Sequence, residues 1–179
     1  RMIIVIFAAR VLGAEGWGTF SYAVSLVALF TGFMDMGINA ILMREVSKTT
    51  EPSYRSQVAS TSFFIKLGLL LAGIVVILAG APYITKIKEV QYILFPVVLI
   101  LVFDTLREFG SSLTRAVERM ELEAGLSLLT NALIAGFGVA FLLLAPTLRS
   151  LAFSYALGAG AGAVAMFFAI RSYFRKPVA

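Results

Sequence analysis

Apolar stretches long enough to cross a bilayer recur from one end of this chain to the other, and that recurrence constrains its fold more than any motif. A spanning helix needs about 20 largely apolar residues at about 1.5 Å rise per residue. Residues 20–43, 58–81, 122–145 and 148–170 meet that length, and 92–113 does so with a polar second half. Only 14% of the residues are charged, against about 25% in an ordinary soluble domain. The expected fold is all-α: a polytopic transmembrane helix bundle of about six helices filling residues 1–179, with no sizeable soluble part. There is no cysteine and no histidine, which excludes disulfide scaffolds, thiolate chemistry and the usual His-based metal and triad sites. The net charge of +5 has no basic run with interleaved aromatics, so no nucleic-acid partner is expected.

The chain opens at Arg1 inside an apolar run and without Met, and is read as a fragment. Residues 2–12 are too short to span, and Arg10 interrupts them as a signal peptide; they fit the truncated tail of a first helix. Gly13, Gly16 and Gly18 with Glu15 and Trp17 predict a short turn at headgroup level. Pro52, Pro82 and Pro146 punctuate the later loops. Because loops are short, sequential helices should be antiparallel neighbours. The loops at 44–57, 107–121 and 171–179 hold Arg44, Lys48, Arg55, Arg107, Arg115, Arg119, Arg171, Arg175 and Lys176. The opposite loops hold Arg10, Lys86, Lys88 and Arg149. Nine against four predicts that the first set is cytoplasmic, in a multi-pass protein of the cytoplasmic membrane.

Ionisable groups inside spans are costly and usually face a bundle interior or wet cavity. Asp35 and Lys66 each lie about 12 Å from the basic end of their helices, and Asp104 is at a similar depth. Two readings fit. Lys66 snorkels to the surface while Asp35 reaches interfacial water, or Asp35, Lys66 and Asp104 form a cluster lining a cytoplasm-facing cavity. On the fourth helix Asp104, Arg107, Glu108, Ser111, Ser112, Arg115, Glu118 and Arg119 recur at three- and four-residue steps, one stripe of a helix running past the hydrocarbon. The first three are read as cavity-lining, and Arg115 to Arg119 as a solvated extension. The candidate substrate or cavity-lining residues are therefore Asp35, Asn39, Lys66, Asp104, Arg107 and Glu108. Gly158, Gly160 and Gly162 form a small-residue face that permits close helix packing, and Pro96 can kink the fourth helix. Glu121 and Glu123 look like solvated surface. No nucleophile elbow, phosphate-cradling loop or metal-ligand spacing occurs, so neither an enzyme nor a cofactor is expected.

Two segments taken together resemble a known family. Ala9-Arg10-Val11-Leu12-Gly13-Ala14-Glu15-Gly16-Trp17-Gly18-Thr19-Phe20 is similar to the turn between the first two helices of Wzx-type O-antigen and polysaccharide flippases. Asp35-Met36-Gly37, followed by Arg44-Glu45, is similar to that family's Asp-x-Gly stretch and to the Arg-Glu that ends its second helix. Arg115 to Met120 resembles the loop before its fifth helix. Such transporters, within the multidrug/oligosaccharidyl-lipid/polysaccharide exporter superfamily, have roughly twelve to fourteen helices in two lobes around a central cavity. The resemblance thus implies that this chain is an amino-terminal lobe of a MATE-like transporter, with a carboxy-terminal lobe of the same chain absent. It implies flipping of an undecaprenyl-diphosphate-linked oligosaccharide across the lipid bilayer by alternating access, with Lys66 or Arg107 shielding the diphosphate. Competing expectations are a lipid II flippase or multidrug/cation antiporter of the same superfamily. From other classes, a membrane-embedded glycan-assembly enzyme or a non-transporting membrane subunit also stand.

Overall fold

A computed structural model of the protein describes residues 2–171. Among these the chain contains no strand and forms six helical elements: α1 (Met2–Asp35), α2 (Ile38–Ser47), α3 (Pro52–Ile84), α4 (Lys88–Ala116), α5 (Met120–Leu144) and α6 (Leu148–Ile170). Of the described helices, α3, α4, α5 and α6 are long and apolar enough to cross a membrane. The protein is a multi-pass helical bundle. Its outward faces carry Leu29, Phe64, Val75, Leu128 and Leu143, all well exposed, as a surface solvated by lipid requires. Of the expected basic segment 171–179, all but Arg171 lies outside the described residues.

Two elements depart from the sequence-based expectation. The glycine-rich turn at 13–18 contracts to a break at Gly13, whose φ of 72° and ψ of 176° interrupt an otherwise helical α1. Gly16 and Gly18 are helical, and Trp17 stacks at 5.7 Å on Phe20, which in turn meets Tyr155 at 6.2 Å. Burial of those rings against α6 rewards an immediate helix restart over an open loop. The helix expected over 20–43 is likewise not continuous. It ends at Asp35, passes through Met36 (φ 40°) and Gly37 (φ 77°), and restarts as the separate α2. The left-handed region costs an L-residue about 1–2 kcal/mol and glycine almost nothing, so Gly37 makes the break cheap while Met36 needs support from its surroundings.

α2 is amphipathic. Ile38, Asn39, Leu42 and Val46 are buried, one face at helical spacing, while Met36, Ile41 and Met43 stay exposed beside Arg44 and Lys48. At its far end Arg55 of α3 donates from Nε to the carbonyls of Val46 (3.2 Å) and Thr49 (2.6 Å), capping α2 from outside. Lys48 bonds Glu45 at 2.6 Å and holds that carboxyl below the usual carboxylate range.

α3 and α4 overrun their expected ends. α3 begins at Pro52, a favoured first-turn position, and α4 extends over 88–116, so only residues 117–119 separate it from α5. That tight connection is held by Arg115, which donates from Nε to both carboxylate oxygens of Glu123 at 2.9 Å. Glu123, expected to be solvated surface, is therefore an inter-helix ion-pair partner. Pro96 sits buried within α4.

α4 is the hub, touching every other helix. One apolar cluster joins the first half of α4 to α1, the end of α3, the end of α5 and the start of α6, through Ile4, Phe20, Val27, Ile77, Ile93, Val97, Leu142 and Leu151. A second joins the end of α4 to α2, the start of α3 and the end of α6, through Leu42, Val46, Ala59, Phe109, Leu113, Met166 and Ile170. From α3 to α6 the helices therefore alternate direction between two ends, and Arg44, Lys48, Arg55, Arg115, Arg119 and Arg171 gather at the second. The glycines of α6 pack closely, but on two faces. A Cβ on Gly158 would lie 2.7 Å from Ile134 Cα of α5, Gly162 abuts Thr130 of α5, and Gly160 meets the Phe103 ring of α4.

Candidate functional site

The helix break and the buried charge prove to be one structure. Lys66 rises from α3 into the interior, 1% exposed. Its Nζ donates to Asp35 Oδ1 at 2.7 Å and to Asn39 Oδ1 at 2.8 Å. Asp35 is the last residue of α1 and Asn39 stands in the first turn of α2, so a single ammonium ties both sides of the Met36–Gly37 break. Phe109 of α4 lies alongside, its ring centroid 6.0 Å from Nζ, and is itself braced edge-on by Phe63 at 5.6 Å.

An ammonium this deep is tolerable only with charge and hydrogen-bond partners. Here it has a carboxylate, a neutral amide oxygen and an aromatic face. Snorkelling of Lys66 to the surface is excluded by its burial. Equally, Lys66 does not offer its charge to a ligand in this conformation, because it is buried and two of its three N–H donors are held by Asp35 and Asn39. Asp35 is the more exposed member of the pair, with a side chain 32% exposed against 2% for Lys66.

The stripe on α4 forms a second polar region. Arg107 Nε stands 3.6 Å from Asp104 Oδ1 one turn away, an ion pair longer than a hydrogen bond. Asp104 and Glu108, with Thr105, line a cleft of about 190 Å³ between α4 and α1. The facing wall is Val24, Val27, Ala28 and Thr31 of α1, and Val97, Ile100 and Leu101 complete the α4 side. Both walls follow the three- and four-residue step of a helix face, so the cleft is apolar towards one end and polar towards the other. Of the expected Asp35–Lys66–Asp104 cluster, the structure joins Asp35 and Lys66 directly and adds Asn39, while Asp104 pairs with Arg107 along α4. It sets Asp104, Arg107 and Glu108 on α4, with Asp104 and Glu108 facing α1 across this cleft.

Hydroxyls behave in two ways in this bundle. Thr19, Ser112, Thr114, Thr130 and Ser154 turn back to bond carbonyls three or four residues earlier, at 2.7–3.1 Å. Thr31 Oγ1 and Thr105 Oγ1, both buried on the cleft, have no hydrogen-bond partner among the described residues, nor does Ser111 Oγ, and Arg107 Nε has only its long ion pair with Asp104. A buried unsatisfied polar group costs about 1–3 kcal/mol. Thr31, Thr105 and Phe109 were not recognised from sequence. The only signal for the threonines was a hydroxyl on the helix face that carries Asp104 and Glu108, or on the face of α1 opposite.

Chemically, the two regions supply oxygen ligands, one buried ammonium and one half-buried guanidinium within the helical bundle. No group of three or more acidic residues able to hold a metal ion occurs among the described residues.

A family model described as "Polysaccharide biosynthesis protein" covers residues 1–179. No curated protein and no solved structure matches the chain.

Proposed function

Because the chain belongs to this family of polysaccharide biosynthesis proteins, we propose that it is one lobe of a flippase that moves a lipid-linked oligosaccharide across the cytoplasmic membrane. A multi-pass bundle with polar groups held inside it suits a transport role, since a glycan and its phosphates need a wet path past the hydrocarbon while the lipid tail stays outside. The observation that carries the proposal is the pairing of Asp35, Asn39 and Lys66 across a break in the helical path. Irregular backbone at membrane depth is tolerated where it is buried in protein or lines a cavity, and discontinuous helices mark moving, substrate-handling parts of transporters. In this reading the second lobe implied by the resemblance completes the cavity, and the lobes rock about it. The basic end of the bundle faces the cytoplasm. Lys66 braces the break, and Asp104, Arg107 and Glu108 present polar groups to the glycan head.

The test is complementation. The full-length gene carrying Asp35→Asn, Lys66→Met or Arg107→Gln is placed in cells lacking their own copy, and surface polysaccharide and lipid-linked intermediates are measured. Loss of surface polysaccharide, with intermediates accumulating on the cytoplasmic leaflet and the variant protein still inserted, is the expected result. Normal export in all three variants refutes the assignment of these residues. Loss of the lipid-linked intermediate itself would point to a glycan-assembly enzyme instead.

A further inference from the structure

At the end of the bundle opposite the basic one, Lys88, Glu89 and Arg149 line a cavity of about 430 Å³ between the start of α4 and the start of α6. We infer that this cavity binds the headgroup of a zwitterionic phospholipid, phosphatidylethanolamine, with Lys88 and Arg149 on the phosphate and Glu89 on the ammonium.

The cations are held ready for a phosphate. Lys88 and Tyr92 stand one turn apart on α4, so they share a face. Arg149 comes from the first turn of α6 and lays its guanidinium over the Tyr92 ring, with Cζ 3.5 Å from the ring centroid. Contact with the ring face leaves the in-plane N–H fork open, and that fork matches two phosphate oxygens. Both helix starts are fixed locally. Gln91 Nε2 donates to the Thr85 carbonyl at 2.8 Å, and Thr147 caps α6 by accepting from the Ser150 amide at 3.2 Å. The charged groups are therefore carried on firm backbone, as a binding site requires.

The charge pattern selects the ligand. Lys88, Glu89 and Arg149 form no ion pair with any described residue. A plain anion at this cavity would face Glu89, and a plain cation would face Lys88 and Arg149. A headgroup that carries both a phosphate and an ammonium meets each with its opposite. Phosphatidylcholine has the same two charges, but its quaternary ammonium has no N–H to donate; a primary ammonium bonds the Glu89 carboxylate. Position agrees with a lipid. α4 and α6 are long and apolar enough to span, so their first residues belong at headgroup level. Tyr92, 61% exposed, is the kind of aromatic found at that level. Leu143 and Leu144 at the end of α5 are also well exposed and offer the acyl chains an apolar surface beside the cavity.

The site is independent of what the protein carries, so the test reads lipid binding and not transport. Full-length protein is placed in nanodiscs holding equal parts of phosphatidylethanolamine, phosphatidylcholine and phosphatidylglycerol, and the lipids that stay bound are counted by native mass spectrometry. Phosphatidylethanolamine retained over phosphatidylcholine by about tenfold is expected, the worth of one charge-assisted hydrogen bond. Glu89→Gln removes that preference, and Arg149→Gln lowers retention of both lipids. Lys86→Gln changes a cation of the same end that lies outside the cavity lining and leaves retention as it was. Circular dichroism checks that each variant keeps its helix content. Equal retention of phosphatidylethanolamine and phosphatidylcholine by the native protein overturns the inference. So does a preference for phosphatidylglycerol, which would mark a plain anion site, or an equal loss in Lys86→Gln and Arg149→Gln, which would mark surface charge only.

Discussion

Replacing Asp35 by Asn keeps the shape of the side chain and removes the charge that faces Lys66. The ammonium would then retain the Asn39 oxygen at 2.8 Å and the Phe109 face at 6.0 Å, inside a site where it is 1% exposed. Breaking a fully buried ion pair from one side costs about 3–5 kcal/mol. The Asp35 side chain is 32% exposed, so the pair is only partly buried, and the expected loss is about 2–3 kcal/mol. Lys66→Met is milder. It fills a similar volume with apolar atoms and leaves a carboxylate that is partly exposed, at a cost of about 1 kcal/mol. The double variant removes the stranded charge, so it should be more stable than Asp35→Asn alone, with a coupling energy of about 1–2 kcal/mol. Unfolding of the full-length protein by graded SDS in a fixed mixed micelle, followed by circular dichroism, gives all four stabilities. Lys66→Met proving as damaging as Asp35→Asn, or the two losses simply adding, would refute the picture of a buried ammonium whose stability depends on Asp35.

The close approach of α5 and α6 makes a paired prediction. Gly158→Ala places a Cβ 2.7 Å from the Ile134 Cα, backbone that cannot rotate away, and should destabilise by about 1–3 kcal/mol. Gly136→Ala on α5 meets nothing within 4 Å and should be neutral or stabilising by about 0.5–1 kcal/mol; the same SDS titration reads both. At the helix break, Gly37→Ala also meets no atom within 4 Å, yet φ is 77°. Its cost is therefore pure backbone strain of about 1–2 kcal/mol. Equal stability of Gly37→Ala and the native protein would show that α1 and α2 can join in another conformation.

Much of the fold was legible in the sequence because the bilayer imposes a one-dimensional rule. Long apolar runs must be helices, as every backbone group in lipid has to be satisfied within its own segment. The prolines and glycines between the runs marked most of the connections, and the glycines of α6 announced close packing. In-span charges were legible as unusual for the same reason. Hydropathy could not show that α1 and α2 separate at Met36–Gly37, because both sides of the break remain apolar. What decided it was Lys66, which arrives from a different helix and binds Asp35 and Asn39 together.

The partners of the α4 stripe were also beyond reach from sequence. Periodicity put Asp104, Arg107 and Glu108 on one face, but which helix that face meets depends on how α1 packs, a contact distant along the chain. Thr31 and Thr105 carried no compositional signal, since most threonines in spans bond their own helix, and only the facing arrangement of α1 and α4 makes these two exceptional. By itself, then, the sequence determined that the chain is a multi-pass helical bundle with a basic end and charges in its interior, because solvent and helix period act locally. Tertiary structure alone decided which charges meet, where the helical path breaks and which hydroxyls face a cleft. Those outcomes depend on distances between helices that no local pattern encodes.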